Sequence, residues 1–379
     1  MNKFKSIFTI VLAVLFVFGF TVASIIVPDK EISLSENSTL QQFPDLSVNI
    51  DFSKNILEEL KRNSNNIKGF TENFEKYTQD QFPLRDSFRK LKADVVFNLL
   101  MQKDNNGYFV KNGYIFKNSN LLNSKNIDYN TNKIKFYYDS LLSDSNNVYL
   151  AVIPDKNYYL DDNISLRLNY DKFFDTVLNK LSFAKYIDLT DKLTLDSYYF
   201  TDTHWRQEKI TDVADFILSE MGAENTEADL ETVSTNKFFK GIYARQTFFK
   251  TEGDEMKYVI NPVIKDAVLV DNGLNVEIPI YNFEKIESAE PYDMFMSYAK
   301  VGLVTLQRKA PTTGRELIVF RDSFGSSIGP LLLNGYDKIT FIDTRQILPA
   351  AVKNQVEFTN QDVLFLYSTT VLNDTTELK

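Results

Sequence analysis

The stretch ELIVFRDSFGSS, Glu316 to Ser327, reads as an apolar strand running straight into a polar, glycine-containing turn. A short helix is expected to follow it, through Pro330 to Asn334. Similar short apolar runs occur at Val148–Ile153, Tyr186–Leu189, Ile339–Ile342 and Val363–Tyr367. Such runs, alternating with helical segments, are the pattern of a parallel sheet buried on both faces. One intervening helix is explicit: Ile210, Val213, Ala214, Ile217, Leu218 and Met221 line one face, and Gly222 ends it. The chain therefore reads as α/β, a mostly parallel sheet flanked by helices. Ligands of open α/β sheets bind at the loops beyond the carboxyl ends of the strands.

Two such loops carry candidate chemistry. In TDTHWR, Thr201 to Arg206, stands His204, the only histidine of the chain. Any catalysis at neutral pH that needs an imidazole base must use it. Asp202 precedes it by two positions; in an extended segment that spacing puts both side chains on one face, where a carboxylate can orient the ring. Taken alone, a histidine capping the next helix, with Asp202 as a turn residue, is the simpler account of the pair. The second loop is the turn after Phe320. A serine at a strand-to-helix turn sits at the sheet edge beside free backbone N–H groups, which can stabilise an oxyanion while an imidazole takes the hydroxyl proton. Together the loops suggest a triad in chain order Asp202, His204, Ser323. Asp322 competes with Asp202 as the orienting carboxylate, but its adjacency to Ser323 is expected to turn it elsewhere.

Composition bounds the rest. With 379 residues, 44% hydrophobic and 25% charged, the chain can bury a real core. A net charge of −9 and the lack of a dense basic cluster argue against a nucleic-acid surface. The absence of Cys excludes disulfides and thiol catalysis and, with one His, leaves little to bind zinc. No EF-hand spacing is visible, and neither a metal nor a cofactor is expected, although a carboxylate-only Mg²⁺ or Ca²⁺ site stays open.

The amino terminus carries Lys3 and Lys5, then an apolar run from Ile7 to Val27, long enough as a helix for a bilayer core. The positive flank places the amino terminus in the cytoplasm and the body outside. Val22-Ala23-Ser24 offers a signal-peptidase site, but the apolar run continues past it through Val27, which favours an uncleaved anchor. Ile67, Phe70, Phe74 and Tyr77 recur at helical spacing; Phe82-Pro83 interrupts, and a second amphipathic run reaches about Met101. Gly107–Phe116 reads as a hairpin turning at Asn112-Gly113. A helix is expected near 130–145. Residues from about 225 to 310 break the alternation and read as an inserted subdomain, one wall of a cleft.

These motifs resemble a known family. TDTHW, RDSFG and ITFIDTR, with SENSTLQQFP, FEKYTQDQFPLRDSFRKL, NGYFVKNGYIFK, AVIPDK and EPYDMFMSY, are similar to the DHHW proteins and to the related alginate O-acetylation proteins of the AlgJ/AlgX type. The resemblance covers nearly everything after the anchor and is weakest over 225–290. It implies an SGNH-hydrolase-like, flavodoxin-like catalytic domain over 105–379; the apolar run and the helical spacing before it read as an anchor at 1–27 and an irregular linker and helical spacer at 28–104. It also implies an extracytoplasmic, single-pass enzyme of the cell membrane that moves acetyl groups on a polysaccharide, with Ser323 as nucleophile, His204 as base and Asp202 as its orienter. Arg345, in Asp343-Thr344-Arg345, matches a recurrent arginine that could hold substrate or support the oxyanion; pairing with Asp343 is the equal alternative. Trp205 is ordinary core or, as the sharper reading, a sugar-stacking surface. Lys156 reads as a surface turn residue. Thr203 stands where the family name has a second histidine, and the usual SGNH order, serine first, is inverted as in the alginate relatives.

The leading function is thus a serine-dependent O-acetyltransferase of a cell-surface or cell-wall polysaccharide, supplied by a separate multi-pass membrane acetyl-donor protein. An acetylesterase with the same triad, or a non-catalytic polysaccharide-binding or assembly protein, is the alternative.

Overall fold

Burial on both faces of one sheet organises this protein. The structure, a computed structural model, describes residues 2–33, 38–46, 55–102, 104–160, 167–223, 229–296 and 302–379. It forms two compact units, residues 1–102 and 103–379.

In the first unit, α1 (Asn2–Ile26) holds a 23-residue span, Phe4–Ile26, of mean hydropathy 2.6, long and apolar enough to cross a membrane. A small antiparallel pair follows, β1 (Ile32–Ser33) with β2 (Ser38–Thr39). The apolar recurrence at 67–77 lies on α2 (Ile56–Asp80), capped at its start by the Asn55 side chain. Its Phe70, Phe74 and Tyr77 surround the ring of Phe43 with centroids 5.3–6.5 Å away. Phe82-Pro83 ends the helical path, Leu84 takes a left-handed conformation, and α3 (Arg85–Asp94) begins.

The second unit opens with β3 (Asp104–Asn105), β4 (Tyr108–Lys111) and β5 (Tyr114–Lys117), a three-stranded antiparallel sheet. Asn112 and Gly113 both take positive φ at the turn between β4 and β5, as a two-residue hairpin of this twist requires. Then come α4 (Ser124–Leu141), β6 (Val148–Ile153), α5 (Tyr170–Lys180), β7 (Lys185–Ile187) and α6 (Thr211–Glu220). The 225–310 stretch supplies β8 (Glu231–Phe239), α7 (Ile242–Thr247), β9 (Asp254–Ile260), α8 (Pro262–Asp266), β10 (Val268–Asp271), β11 (Val276–Ile278) and β12 (Leu303–Gln307). The chain closes with β13 (Glu316–Arg321), α9 (Gly325–Leu332), β14 (Lys338–Asp343), α10 (Pro349–Gln355), β15 (Asp362–Ser368) and α11 (Thr369–Asp374).

Eight strands form the main sheet in the order β11-β10-β12-β14-β13-β15-β6-β7. The five from β14 to β7 are mutually parallel; β12, β10 and β11 extend that edge antiparallel. Part of the inserted stretch therefore continues the sheet, while β8 and β9 pair separately. Counted cyclically from β13, the parallel strands stand as 2-1-3-4-5, the flavodoxin-like order. Alternation sorts the core. Leu317, Val319, Leu364 and Leu366 face α6 and α9, whereas Ile318, Phe320, Val363 and Phe365 face α4 and α5. The helices after β13 and β14 thus lie on opposite faces, which puts the topological switch point beside the end of β13.

Leu364, fully buried on central β15, tests this packing. Leu364→Ala should lower stability by roughly 2–5 kcal/mol, read as a lower urea midpoint at unchanged slope.

Candidate active site

At the carboxyl end of β13 the chain turns sharply, and Asp322 holds the turn. One of its oxygens accepts the Phe324 amide at 3.0 Å; the other accepts the amide and hydroxyl of Ser368, each at 2.7 Å, at the end of β15. Asp322 thus serves the backbone and does not reach the histidine, as expected. Gly325 starts α9 so tightly against Arg321 that a Cβ there would lie 2.9 Å from two of its side-chain atoms. From Leu317 to Asp337 every residue is buried except Ser323, which reaches solvent in part. Among the described residues its amide has no acceptor. That N–H is available to a developing oxyanion.

The second loop lies between β7 and α6. Tyr198 and Trp205 form an isolated antiparallel bridge, the Tyr199 amide donates to the His204 carbonyl at 3.1 Å, and residues 201–204 make the bend between them. Asp202 and His204 meet here through a turn and not, as the spacing alone suggests, along an extended segment. Asp202 Oδ1 accepts the His204 amide at 3.2 Å and lies 2.6 Å from His204 Nδ1; Oδ2 accepts the Ile242 amide at 3.0 Å. Burial opposes the charge on this carboxylate, but the hydrogen bond and charge of His204 and the two amides outweigh it and hold Asp202 well below the ordinary range. With Nδ1 protonated toward Asp202, the Nε2 lone pair faces Ser323 Oγ at 2.8 Å. One hydrogen-bonded chain therefore links carboxylate, imidazole and hydroxyl, the geometry by which a base can take a hydroxyl proton.

The ring is clamped by residues to which the sequence reading gave no role. Tyr292 stacks on His204 with centroids 3.8 Å apart and planes at 6°, and its hydroxyl donates to Ser327 Oγ at 2.6 Å. Phe324 covers another side at 4.9 Å. Trp205 Nε1 donates to the same Ser327 oxygen at 2.8 Å and to the Phe324 carbonyl at 3.1 Å. Trp205 is wholly buried, so the sugar-stacking reading is corrected: its apolar faces fill the core and its one donor ties the histidine loop to α9. Gly241 presses on Asp202 from the far side. A Cβ there would sit 2.4 Å from Asp202 Cβ and 2.5 Å from the Thr201 carbonyl.

Charged neighbours complete the surroundings. Arg345 makes a two-pronged pair with Asp343, at 3.0 and 2.7 Å. Burial works against that guanidinium, yet Asp343 raises its pKa above the usual value; the pairing with Asp343 expected as one of the two readings is present. Lys156 is not a surface residue. It is 2% exposed, and Nζ donates to the carbonyls of Tyr199, Phe200 and Asp202. The turn reading missed this because the partners come from a loop distant in sequence. Glu290, raised by burial, and Arg245, lowered by it, stand in the electrostatic field of Asp202. Among the described residues no group of three His, Cys, Asp or Glu side chains could hold a metal. A separate polar cavity of about 800 Å³, lined by Arg315, Lys338 and Asp362, opens at the amino ends of β13–β15 and so lies away from Ser323.

Comparison with known proteins adds the fold. No family model matches this chain, and no curated protein matches it. Among solved structures, a DHHW family protein from Eubacterium siraeum superposes with a TM-score of 0.59 at 19% identity, over 72% of this chain and 94% of that one. The fold is that of the DHHW protein. PatB1 of Bacillus cereus, solved with a sulfonyl adduct, gives 0.55 at 15% identity over 72% and 100%. The O-acetyltransferase domain of Pseudomonas putida AlgJ aligns more distantly, at 0.43 and 12% over 72% and 95%. The α/β architecture expected from the sequence, a mostly parallel sheet flanked by helices, is the one observed, and the DHHW family protein and PatB1 share it.

Gly241→Ala should overpack the Asp202 turn. With backbone among the atoms in the way, the expected cost is roughly 1–3 kcal/mol, measured as a shift of the denaturation midpoint.

Proposed function

We propose that Asp202, His204 and Ser323 are the catalytic triad of a membrane-anchored, extracytoplasmic O-acetyltransferase acting on a cell-surface or cell-wall polysaccharide. One observation carries this reading: the single solvent-reaching residue in a long buried run is a serine, and its hydroxyl lies 2.8 Å from the only histidine. A serine kept only for packing has no need of either feature.

The chemistry follows from the order of the hydrogen bonds. Ser323 Oγ attacks the acetyl carbonyl of the donor while Nε2 of His204 takes its proton. Asp202 stabilises the imidazolium, and the Ser323 amide meets the oxyanion. Collapse expels the donor's leaving group, which takes the proton from His204, and an acetyl-serine remains. A sugar hydroxyl then gives its proton to His204 and attacks the acetyl carbon; collapse returns the proton to Ser323 and releases the acetylated polymer. The donor reaches this site from a separate multi-pass membrane protein. Water in place of the sugar hydroxyl would make the same site an esterase, and the ratio of acetyl transferred to acetate released decides between them.

The PatB1 structure bears a sulfonyl adduct, and sulfonylation is a reaction of activated hydroxyls. Treating this protein with a small sulfonyl fluoride should add one sulfonyl group at Ser323, located by peptide mass spectrometry. Ser323→Ala and His204→Ala should each lower turnover of a small acetyl ester by roughly 10⁴-fold, and Asp202→Asn by somewhat less. The double mutant of Ser323 and His204 should match either single one, because the pair acts as a unit. Wild-type turnover in His204→Ala would end the enzymatic reading in favour of a polysaccharide-binding protein.

The anchoring rests on α1, with Lys3 and Lys5 before its apolar span. Protease added to intact, wall-stripped cells should digest the body of the protein. A protected body would reverse the orientation, and a released form beginning near residue 24 would replace the anchor by a cleaved signal.

A further inference from the structure

The stretch Tyr199–Asp202, just before His204, has its backbone dipoles split between two buried charges. Its amides point one way: Phe200 N and Thr201 N donate to the two oxygens of Asp254 at 2.7 and 2.8 Å, and the Thr201 hydroxyl adds a third bond to that carboxylate. Three of its four carbonyls converge on Lys156 Nζ, at 3.0 Å from Tyr199, 3.3 Å from Phe200 and 2.8 Å from Asp202, while that of Thr201 accepts the Tyr243 and Ala244 amides. Lys156 enters directly after β6, whose end Pro154 and Asp155 mark, and its ammonium lies over the Tyr243 ring at 4.9 Å, with Phe116 and Tyr114 at 5.7 and 5.9 Å.

An ammonium has three N–H bonds, and here each has a carbonyl to meet. A neutral amine has two, and its lone pair would be set against the third carbonyl oxygen. The arrangement therefore needs the charged lysine. Burial in an aromatic box is a poor place for a charge unless it earns something specific. The third carbonyl belongs to Asp202 itself, so the lysine fixes the peptide from which the orienting carboxylate springs.

We propose that Lys156 is a positioning residue for the site: it holds the Tyr199–Asp202 backbone so that the Asp202 carboxylate stands in line with His204 Nδ1. This rests on the triad reading given above. Lys156 touches no substrate and acts only through Asp202 and His204.

A pH dependence follows. Burial drives Lys156 down to about 7, against the pull of the carboxylates Asp254, Asp202 and Asp155, while Tyr243 and Tyr114 face it as rings. The ammonium, and with it the alignment, is present below that pH and lost as pH rises through it. Turnover should decline on the alkaline side as the proton leaves.

Because the chain has a single histidine, the Nδ1 proton shared with Asp202 gives one imidazole resonance, free of overlap, in proton NMR of histidine-labelled full-length protein. Lys156→Met keeps the length of the side chain and removes its charge. It is expected to keep its circular dichroism spectrum, to lose about 10²-fold in kcat for a small acetyl ester, as a misplaced group does, to keep KM within about twofold, and to shift or broaden the His204 resonance. Lys156→Arg restores the charge; it should recover part of kcat and carry the alkaline decline to higher pH. If Lys156→Met does not fold, the arginine variant decides alone. An unchanged alkaline decline in that variant, or an unmoved His204 resonance and kcat in folded Lys156→Met, overturns the proposal. The resonance is read without turnover, so it still judges Lys156 if Ser323→Ala shows that the triad reading itself is wrong.

Discussion

A buried carboxylate must have its lone pairs met or give up its charge, and Asp202 meets this condition with three N–H donors. Two come from His204, through its ring and its amide, and one from Ile242 at the start of α7. Much of the second unit is shaped to satisfy that one group. Gly241 must lack a side chain so that α7 can approach it. The loop after β7 must bend so that ring and amide of one residue reach a single oxygen. Asp202 supports the bend at residues 201–204 locally by accepting the His204 amide, and Asp254 and Lys156 hold peptide groups of Tyr199–Asp202 from both sides.

The cyclic strand order explains why Asp202 and His204 precede Ser323 along the chain. In the order 2-1-3-4-5 the serine follows strand 1, yet strands 4 and 5 are made first, as β6 and β7. The aspartate and histidine after β7 therefore precede the serine in sequence while occupying the place in the sheet that later residues hold in an unpermuted order. Spatial arrangement and chain order are independent here, and the switch point beside β13 is preserved.

What was legible in the sequence were features of short range. Apolar runs marked all five parallel strands, because a strand covered on both faces admits little else, and Asn112-Gly113 marked its turn through the φ values it must adopt. The Asp202, His204 and Ser323 set was legible because a lone histidine leaves no choice. Features that depend on tertiary partners were hidden. Lys156 looks like any lysine after a Pro-Asp turn until three distant carbonyls are seen around it. Tyr292 lies in a motif noted only for its resemblance, and nothing in its neighbours announces that it will stack on His204. Trp205 was read two ways, and burial chose one. The strands β10 and β11 were obscure because they are short and each carries a carboxylate, Asp271 and Glu277, near the sheet edge.

The pairing of β6 with β15 sets an order in time as well as in space. Val148–Ile153 lies in register with Val363–Ser368, so the middle of the sheet joins segments from opposite ends of this unit. Until β15 has emerged, β6 and β7 have no parallel neighbour linking them to β13, and Asp202 and Ser323 belong to halves with no shared edge. Such non-local closure is slow, since a long loop must be ordered before its contacts repay it. The nascent chain thus carries Ser323 and His204 on separate pieces, and they meet only when the last strand slides between them.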